Sequence, residues 1–568
     1  MLKQILDTIA GVAIICLLLR PLPSATAFTT STSHYKHRYH TGTRSCNFAY
    51  IESKLFSATS EDEEESFFTK DDSSFVMVSE VYVAEVECLR GKFPSFENES
   101  DKGSNVIKSQ KRNKGYSGVI HASQATTEAT NDSHVANIEY NQLVSDHEFV
   151  LVDTVRKPGM RSASRAFHRA GPRKLLHFDP SKVNAAIVTC GGLCPGLNNV
   201  IREVTHSLFY LYGANKVYGI TGGYNGFSAA EYPPVELTNA AVENIHHEGG
   251  TILRSGRGGF DIDKILQFIQ ERDIQQLYVI GGDGTHRGAY AISKACIEKE
   301  LNVAVAGIPK TIDNDVDYID RSFGFHSAVE AAQAAIHTAK TEAMCNVPNG
   351  IGIVKLMGRS AGFLTAYSAL GSGDVDLVLI PEVPIVLDGP QGILPFLRKR
   401  VKEQKYAVVA VAEGAGEELL GVSEEVDAGG NRARPKIGQF VKDQVEKYFA
   451  SFGETATIKY IDPSYTVRSV PANAADSLYC MQIAQNAVHG AMAGITGFTT
   501  GLVGNNVVYL PIPLVVSSSP RNMSPHGRTW ERILAMTGQP NTVPPKKSDM
   551  DDKTDTYGFS SLPDSSSD

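Results

Sequence analysis

Seven apolar runs lie between residues 183 and 414, and each stops abruptly at glycine, proline or a charged side chain. They read VNAAIVTCGG (183–192), KVYGITGG (216–223), QLYVIGGDG (276–284), VAVAGIPKT (303–311), GIGIVKLMGR (350–359), DLVLIPE (376–382) and YAVVAVAEG (406–414). Most of the intervals have helical spacing; after the first run, apolar residues fall at Leu197, Val200, Ile201, Val204, Leu208 and Leu211. Apolar strands alternating with amphipathic helices predict an α/β fold of two doubly wound, mostly parallel Rossmann-like sheets, with the active site in the cleft between them. In such sheets ligands sit beyond the carboxyl ends of the strands, and that is where the unusual residues fall.

The 568-residue chain as a whole fits this reading, with 42% hydrophobic and 21% charged residues. A net charge of −9 argues against a general nucleic-acid binder, because it implies no broad basic surface. Eight cysteines are too scattered for a disulfide framework. Cys190 and Cys194, without a second pair or nearby histidines, read as core thiols rather than a zinc site.

At the N-terminus, Lys3, an apolar run from Ile9 to Leu19 and Ala25-Thr26-Ala27 read as a signal peptide over 1–27, too short to span a bilayer. Residues 28–60 have transit-peptide character; 28–51 carry Lys36, Arg38 and Arg44 but no acid. This bipartite layout, opening on Phe28, resembles the plastid-import presequence of algae with complex plastids; a cytoplasmic, secreted or ER protein is the alternative. No stable membrane span is expected once the signal is removed. Residues 61–145 read as a loosely ordered extension in which FVMVSEVYVAEVECL (75–89) forms strand or helix. The catalytic region, two α/β subdomains, is expected over 146–543, followed by a disordered tail over 544–568.

Six motifs, with Glu413, carry the chemistry. GGLCPGLNN (191–199) opens a helix after a strand, as an anion site or a plain turn would, but matches neither G-x-G-x-x-G nor G-x-x-x-x-G-K-[ST]. GGTILRSGRGGFD (249–261) sets Arg254 and Arg257 among glycines, suited to phosphate or a base face or else a surface loop with solvated arginines. In GGDGT (281–285), Asp283 is either a helix cap or a magnesium anchor beside phosphate oxygens. PKTIDND (309–315) says most: Asp313 and Asp315 can face one side, their mutual repulsion keeps one as a proton acceptor, and Lys310 and Thr311 add a charge and a hydroxyl for phosphate. Arg359 in MGRSAG, Glu413, and Tyr465 with Arg468 in YIDPSYTVR end further segments on the same predicted edge.

In that order these motifs resemble 6-phosphofructokinases, most of all the plant and trypanosomatid type, over about residues 150–540. GGDGT also occurs in NAD and lipid kinases, which do not account for PKTIDND with MGR and YxxR. The resemblance implies phosphorylation of fructose 6-phosphate at its 1-hydroxyl, with ATP as co-substrate and Mg2+ as cofactor, by a homo-oligomer (dimer or tetramer) that binds no nucleic acid. It assigns ATP to Gly192, Tyr224, Arg257, Gly258, Gly282, Asp283, Gly284, Thr285 and Gly288, with Asp283 on the metal. It assigns the sugar phosphate to Thr311, Ile312, Asp313, Asp315, Met357, Gly358, Arg359, Glu413, Lys459, Tyr465 and Arg468. Asp313 is the implied base, with Arg359 and Lys310 in catalytic support. Gly284 and Lys310 bear on the donor: pyrophosphate-dependent relatives carry Asp and Lys there, bacterial ATP-dependent ones Gly at both. Gly284 therefore favours ATP over pyrophosphate. An inactive, sugar-phosphate-sensing subunit is the remaining alternative, though both Asp283 and Asp313 are present. Asn349-Gly350 stands where bacterial members place an arginine that reaches a neighbouring subunit, Lys459 replaces another, and Arg254 stands where many members have Gly.

Overall fold

The computed structural model describes residues 75–78, 81–94, 143–152, 164–421 and 436–545, all within the unit Asp62–Asp568. The expected presequence over 1–60, much of the extension and the tail beyond Pro545 lie outside the described residues.

Fourteen strands matter here. They are β1 (Phe75–Val78), β2 (Val81–Ala84), β3 (Phe149–Leu151), β4 (Ser164–Arg169), β5 (Asn184–Thr189), β6 (Lys216–Ile220) and β7 (Gln276–Gly281). They continue as β8 (Ala304–Pro309), β9 (Gly350–Leu356), β10 (Leu377–Leu379), β11 (Tyr406–Ala412), β12 (Thr457–Ile461), β13 (Phe498–Val503) and β14 (Asn506–Pro511). The larger sheet has eleven strands in the order β1-β2-β4-β14-β13-β8-β7-β5-β6, closed by the short strand Val235–Glu236, with β3 paired to β4. The smaller is β10-β11-β9-β12, parallel throughout. All seven apolar runs are strands with parallel neighbours, as their pattern requires; FVMVSEVYVAEVECL supplies β1 and β2. The larger sheet turns antiparallel towards its flanks, at β13–β14 and β14–β4 on one side and at the short closing strand on the other.

The helices that position the site are α1 (Leu197–His206), α2 (Ile262–Glu271), α3 (Asp283–Glu298), α4 (Phe325–Cys345), α5 (Phe363–Ser372) and α6 (Ile393–Gln404). After them come α7 (Ile437–Ala450), α8 (Ser464–Ser469), α9 (Ala474–Met492), α10 (Ile512–Ser518) and α11 (Arg528–Thr537).

Strand alternation explains the layering. Ile187, Tyr278, Ile280 and Ala306 on one face of the larger sheet belong to one buried cluster, while their neighbours Val188, Leu277, Val279 and Val305 belong to another. The first cluster also takes Val354, Leu356, Val378 and Ala410 from the smaller sheet, with Ala332, Ile336 and Ala339 of α4 and Ile483 and Ala487 of α9. One core is thus shared by the facing sides of both sheets, which fixes the two sets of strand ends relative to each other. The outer face of the smaller sheet, with Ile351, Ile353, Val409 and Val411, packs under α6 and α7.

Close packing of α4 on β9 depends on missing side chains. A Cβ on Gly352 would lie 2.5 Å from the Ala339 carbonyl oxygen, and one on Gly350 would run into that of Ala343. Asn349 takes a left-handed backbone (φ 53°) and its amide donates to the Thr455 carbonyl at 2.9 Å. No arginine fits at 350 while α4 lies there.

Candidate active site

At the end of β5 the chain turns away through Gly191-Gly192, and a second loop is laced onto it. The Gly191 N–H donates to the Gly256 carbonyl at 2.9 Å, and the Ser255 hydroxyl donates to the Gly191 carbonyl at 2.5 Å. This lacing brings in Arg257. A Cβ on Gly192 would lie 3.9 Å from an Arg257 guanidinium nitrogen and 3.7 Å from one of Arg468, which α8 supplies beyond the smaller sheet. The Lys310 ammonium donates to the Gly192 carbonyl from a position only 7% exposed. Burial first, then the charges of Arg257 and Arg468, hold its pKa below the ordinary lysine value. Three cations gathered around a residue without a side chain repel one another, and a phosphate bound there would relieve that repulsion.

Carboxylates gather just beyond the ends of β7, β8 and β11. Asp283 opens α3 with Gly282 at the cap, where the helix dipole favours negative charge. Burial, helped by Asp315 and opposed by Arg287, nonetheless pushes it up to about 6. Beyond β8, Thr311 shapes the next turn: its hydroxyl accepts from the Asp313 N–H at 3.1 Å and donates to Asp315 at 2.8 Å. Burial raises Asp315 against that hydroxyl. It also pushes Asp313 up to about 8, assisted by the charges of Asp315 and Glu413 and opposed by the amide and guanidinium of Arg359. Asp313 Oδ1 is shielded from solvent and has no hydrogen-bond partner within the protein. Arg359 and Glu413 come from the ends of β9 and β11, where the Gly414 N–H donates to the Gly358 carbonyl at 3.1 Å. The larger sheet therefore presents Asp313 to groups carried by the smaller one.

Among the described residues, no three His, Cys, Asp or Glu side chains converge closely enough to cage a metal. A hard cation here needs ligand oxygens in addition to Asp283, which fits magnesium held partly by phosphates. A Cβ on Gly284 would meet no protein atom within 4 Å, so the first turn of α3 faces open space.

Other expected residues stand further back. Tyr224 is 5% exposed and its hydroxyl donates to the Thr285 carbonyl at 2.8 Å, bracing that loop from behind. Ile312 is buried in the core and anchors its turn, and Met357 packs against the same core. Gly258 (φ 74°) leaves open space around its Cβ position, while Gly288 gives room to Tyr224 and Phe260. Tyr465 is 75% exposed, with the Arg468 guanidinium 4.7 Å from its ring centre. Lys459 forms an ion pair with Glu342 of α4 at 3.6 Å, and no contact joins it to the groups above. The Arg254 carbonyl accepts from Thr189 at 2.7 Å, a backbone role.

Sequence reasoning missed three residues at this site. Phe260, 42% exposed, stands edge-on to Tyr224 at 5.2 Å and offers an apolar wall; an aromatic directly after Gly258-Gly259 was its only signal. His286 is buried beneath the Asp283 turn, contacting the Gly282 carbonyl at 3.2 Å and the Thr499 hydroxyl at 3.1 Å. Arg521 reaches the loop after Asp313 from far along the chain.

A model of the phosphofructokinase family matches residues 184–491, a span that holds the charged groups at the two sheet ends but not Arg521. The chain belongs to the phosphofructokinase family. ATP-dependent 6-phosphofructokinase 7 of Arabidopsis thaliana is 48% identical over 395 residues, covering 69% of this chain and 80% of that protein. The chloroplastic ATP-dependent 6-phosphofructokinase 5 of the same plant is 46% identical over 376 residues (66% and 70%). The ATP-dependent enzyme of Amycolatopsis methanolica is 41% identical over 422 residues (73% and 91%). Among solved structures, the pyrophosphate-dependent phosphofructokinase of Marinobacter aquaeolei aligns with a TM-score of 0.52 at 19% identity, covering 64% of this chain and 93% of its own; that likeness is one of fold.

Proposed function

We propose that this phosphofructokinase transfers the γ-phosphoryl group of ATP to the 1-hydroxyl of D-fructose 6-phosphate, giving fructose 1,6-bisphosphate and ADP, the committed step of glycolysis. The observation that carries the reading is Asp313: a carboxylate with an unpartnered, shielded oxygen, held between the two sheets with its pKa raised towards the working range of a general base. It takes the 1-hydroxyl proton as that oxygen attacks phosphorus. Arg359 balances charge beside it, and Lys310 and Arg257 hold the donor phosphates near Gly192. Arg468 and Glu413 hold the sugar phosphate and its hydroxyls. Such transfers depend on positioning and charge stabilisation. Asp283 would hold Mg2+, whose chemistry there is to neutralise charge between the donor phosphates. Phe260 gives the adenine an apolar face.

ATP rather than pyrophosphate is supported by the open space at Gly284, which an aspartate would fill with like charge, and by the ATP-dependent relatives at 41–48% identity. A coupled assay of purified protein with each donor tests this. Faster turnover with pyrophosphate overturns the donor assignment, and no turnover with either favours a sugar-phosphate-sensing subunit. We also propose import into the plastid, supported by the presequence pattern and by chloroplastic relatives. Residues 1–60 fused to a fluorescent protein should reach that compartment, and Phe28→Ala should leave the fusion outside. A homo-oligomer is proposed as well; the exposed Tyr465 and the partly exposed Lys459 are where a neighbouring copy would complete the sugar site.

A further inference from the structure

The family match ends at residue 491, yet residues 502–521 hold the loop behind the proposed base. The Arg521 guanidinium donates from Nε to the Asn314 carbonyl at 3.2 Å, from Nη1 to that of Ile319 at 2.9 Å, and from Nη2 to that of Asp320 at 3.5 Å. Its backbone N–H donates to the Asp315 carbonyl at 2.8 Å. The Ser519 hydroxyl accepts from the Asp317 N–H at 3.0 Å. Asp320 is held by the hairpin between β13 and β14: its N–H donates to Leu502 at 2.7 Å, and its carboxylate accepts from the amides of Gly504 and Asn505 at 3.1 and 2.9 Å. The loop from 314 to 320 is thus fastened at both ends and in the middle.

It needs fastening. Asn314 and Tyr318 both hold left-handed backbone, φ 55° and 65°, a conformation that disfavours an aromatic side chain. An unsupported loop would relax away from it and carry Asp315 and Asp313 along. Arginine suits the task, because its planar fork donates in several fixed directions at once, whereas lysine offers a single point. The Arg521 side chain lies over the Phe363 ring, 5.2 Å from its centre, so the fork is itself packed in place.

We infer that Arg521 is a positioning residue for phosphoryl transfer: by bonding the carbonyls on either side of the Asp315–Asp317 turn, it sets the aim of the Asp313 carboxylate. This rests on the proposed kinase reading. It differs from a general folding role in what it predicts. A displacement of about 1 Å at a reacting group can cost ~10²-fold in rate while leaving binding largely intact.

The test uses full-length protein, with wild type assayed alongside; if wild type does not phosphorylate fructose 6-phosphate, the kinase reading fails and not this inference. Arg521→Met, which keeps the stem over Phe363, is expected to lower kcat by ~10-fold or more, with both KM values within about threefold of wild type. Arg521→Lys should fall between the two. Arg521→Ala should regain part of its kcat on addition of guanidinium at non-denaturing concentration, which a mere loss of stability would not do. Turnover by Arg521→Met within twofold of wild type overturns the inference. So does a loss seen only in KM, or in thermal stability with kcat per folded molecule preserved. Failure of all three variants to fold also overturns it, since it would make Arg521 a folding residue.

Discussion

Asp313 is uncomfortable as an anion in the free protein, and its discomfort can be separated from its use. Its pKa is raised by burial, then by Asp315 and Glu413. The folded state therefore binds its proton more tightly than the unfolded state, so the contribution to stability is fully present at acid pH. It is lost as pH rises from about 4 towards 8. Asp313→Asn should accordingly melt higher than wild type above neutral pH, measured by calorimetry, while being nearly inert. For catalysis the sign is the opposite: kcat/KM should fall as pH drops below about 8, with an apparent pKa that belongs to the coupled carboxylates together. Asp313→Ser is expected to lower kcat at least ~10²-fold with modest change in sugar KM. Near-wild-type turnover in that variant would remove Asp313 from the base role. At Gly284 the prediction concerns choice of donor. Aspartate would place charge in space now open beside the Asp283 turn, so Gly284→Asp should sharply weaken ATP use. Lys310→Gly should slow the reaction without changing the donor, because a cation near a transferring phosphate serves either one.

At the scale of elements, the sequence was most legible where a strand is buried on both faces. Each of the seven apolar runs is such a strand, and five of them lead into residues that lie near Gly192 or Asp313: Gly192 itself, Asp283, Lys310, Arg359 and Glu413. β12 was not legible, since TIKYI is an edge strand only partly buried and carries the charged Lys459. β13 was hidden by FTTGLV, whose threonines sit inside the sheet because Thr499 meets His286 and Thr500 donates to the Ile483 carbonyl. Nor does the reason for Gly350 show in the sequence. The resemblance only marks the place as lacking an expected arginine; in the fold Gly350 is the space that lets α4 lie on β9. Gly350→Ala should therefore destabilise the protein by about 1–3 kcal/mol through overpacking against backbone that cannot move aside. A melting temperature equal to that of wild type would show that α4 has room to shift.

Across the whole molecule, residues 498–545 join what the two sheets hold separately. β13 and β14 extend the larger sheet, Arg521 grips the base loop, and the Met523 N–H donates to Glu382 at 2.8 Å. The Gln539 amide then bonds both the N–H and the carbonyl of Val378 in β10, at 2.8 and 3.0 Å, as an added strand would. No periodicity betrays the ties of this strap at Arg521, Met523 and Gln539, because those hydrogen bonds run to distant elements. Its seat on the smaller sheet carries a built-in reporter: Trp530 of α11 is the chain's sole tryptophan, 1% exposed, and its indole N–H points to Asn541 at 3.4 Å. If the strap keeps both halves of the site in register, phosphoryl transfer cannot outlast its release. In a urea titration, activity should disappear together with the red shift of Trp530 emission, at or before the loss of helical circular dichroism. Trp530→Phe, which keeps most of the buried ring, should retain activity and lose only the optical signal. Activity that persists after Trp530 has become exposed would show that the smaller sheet holds Arg359 and Glu413 in place without the strap.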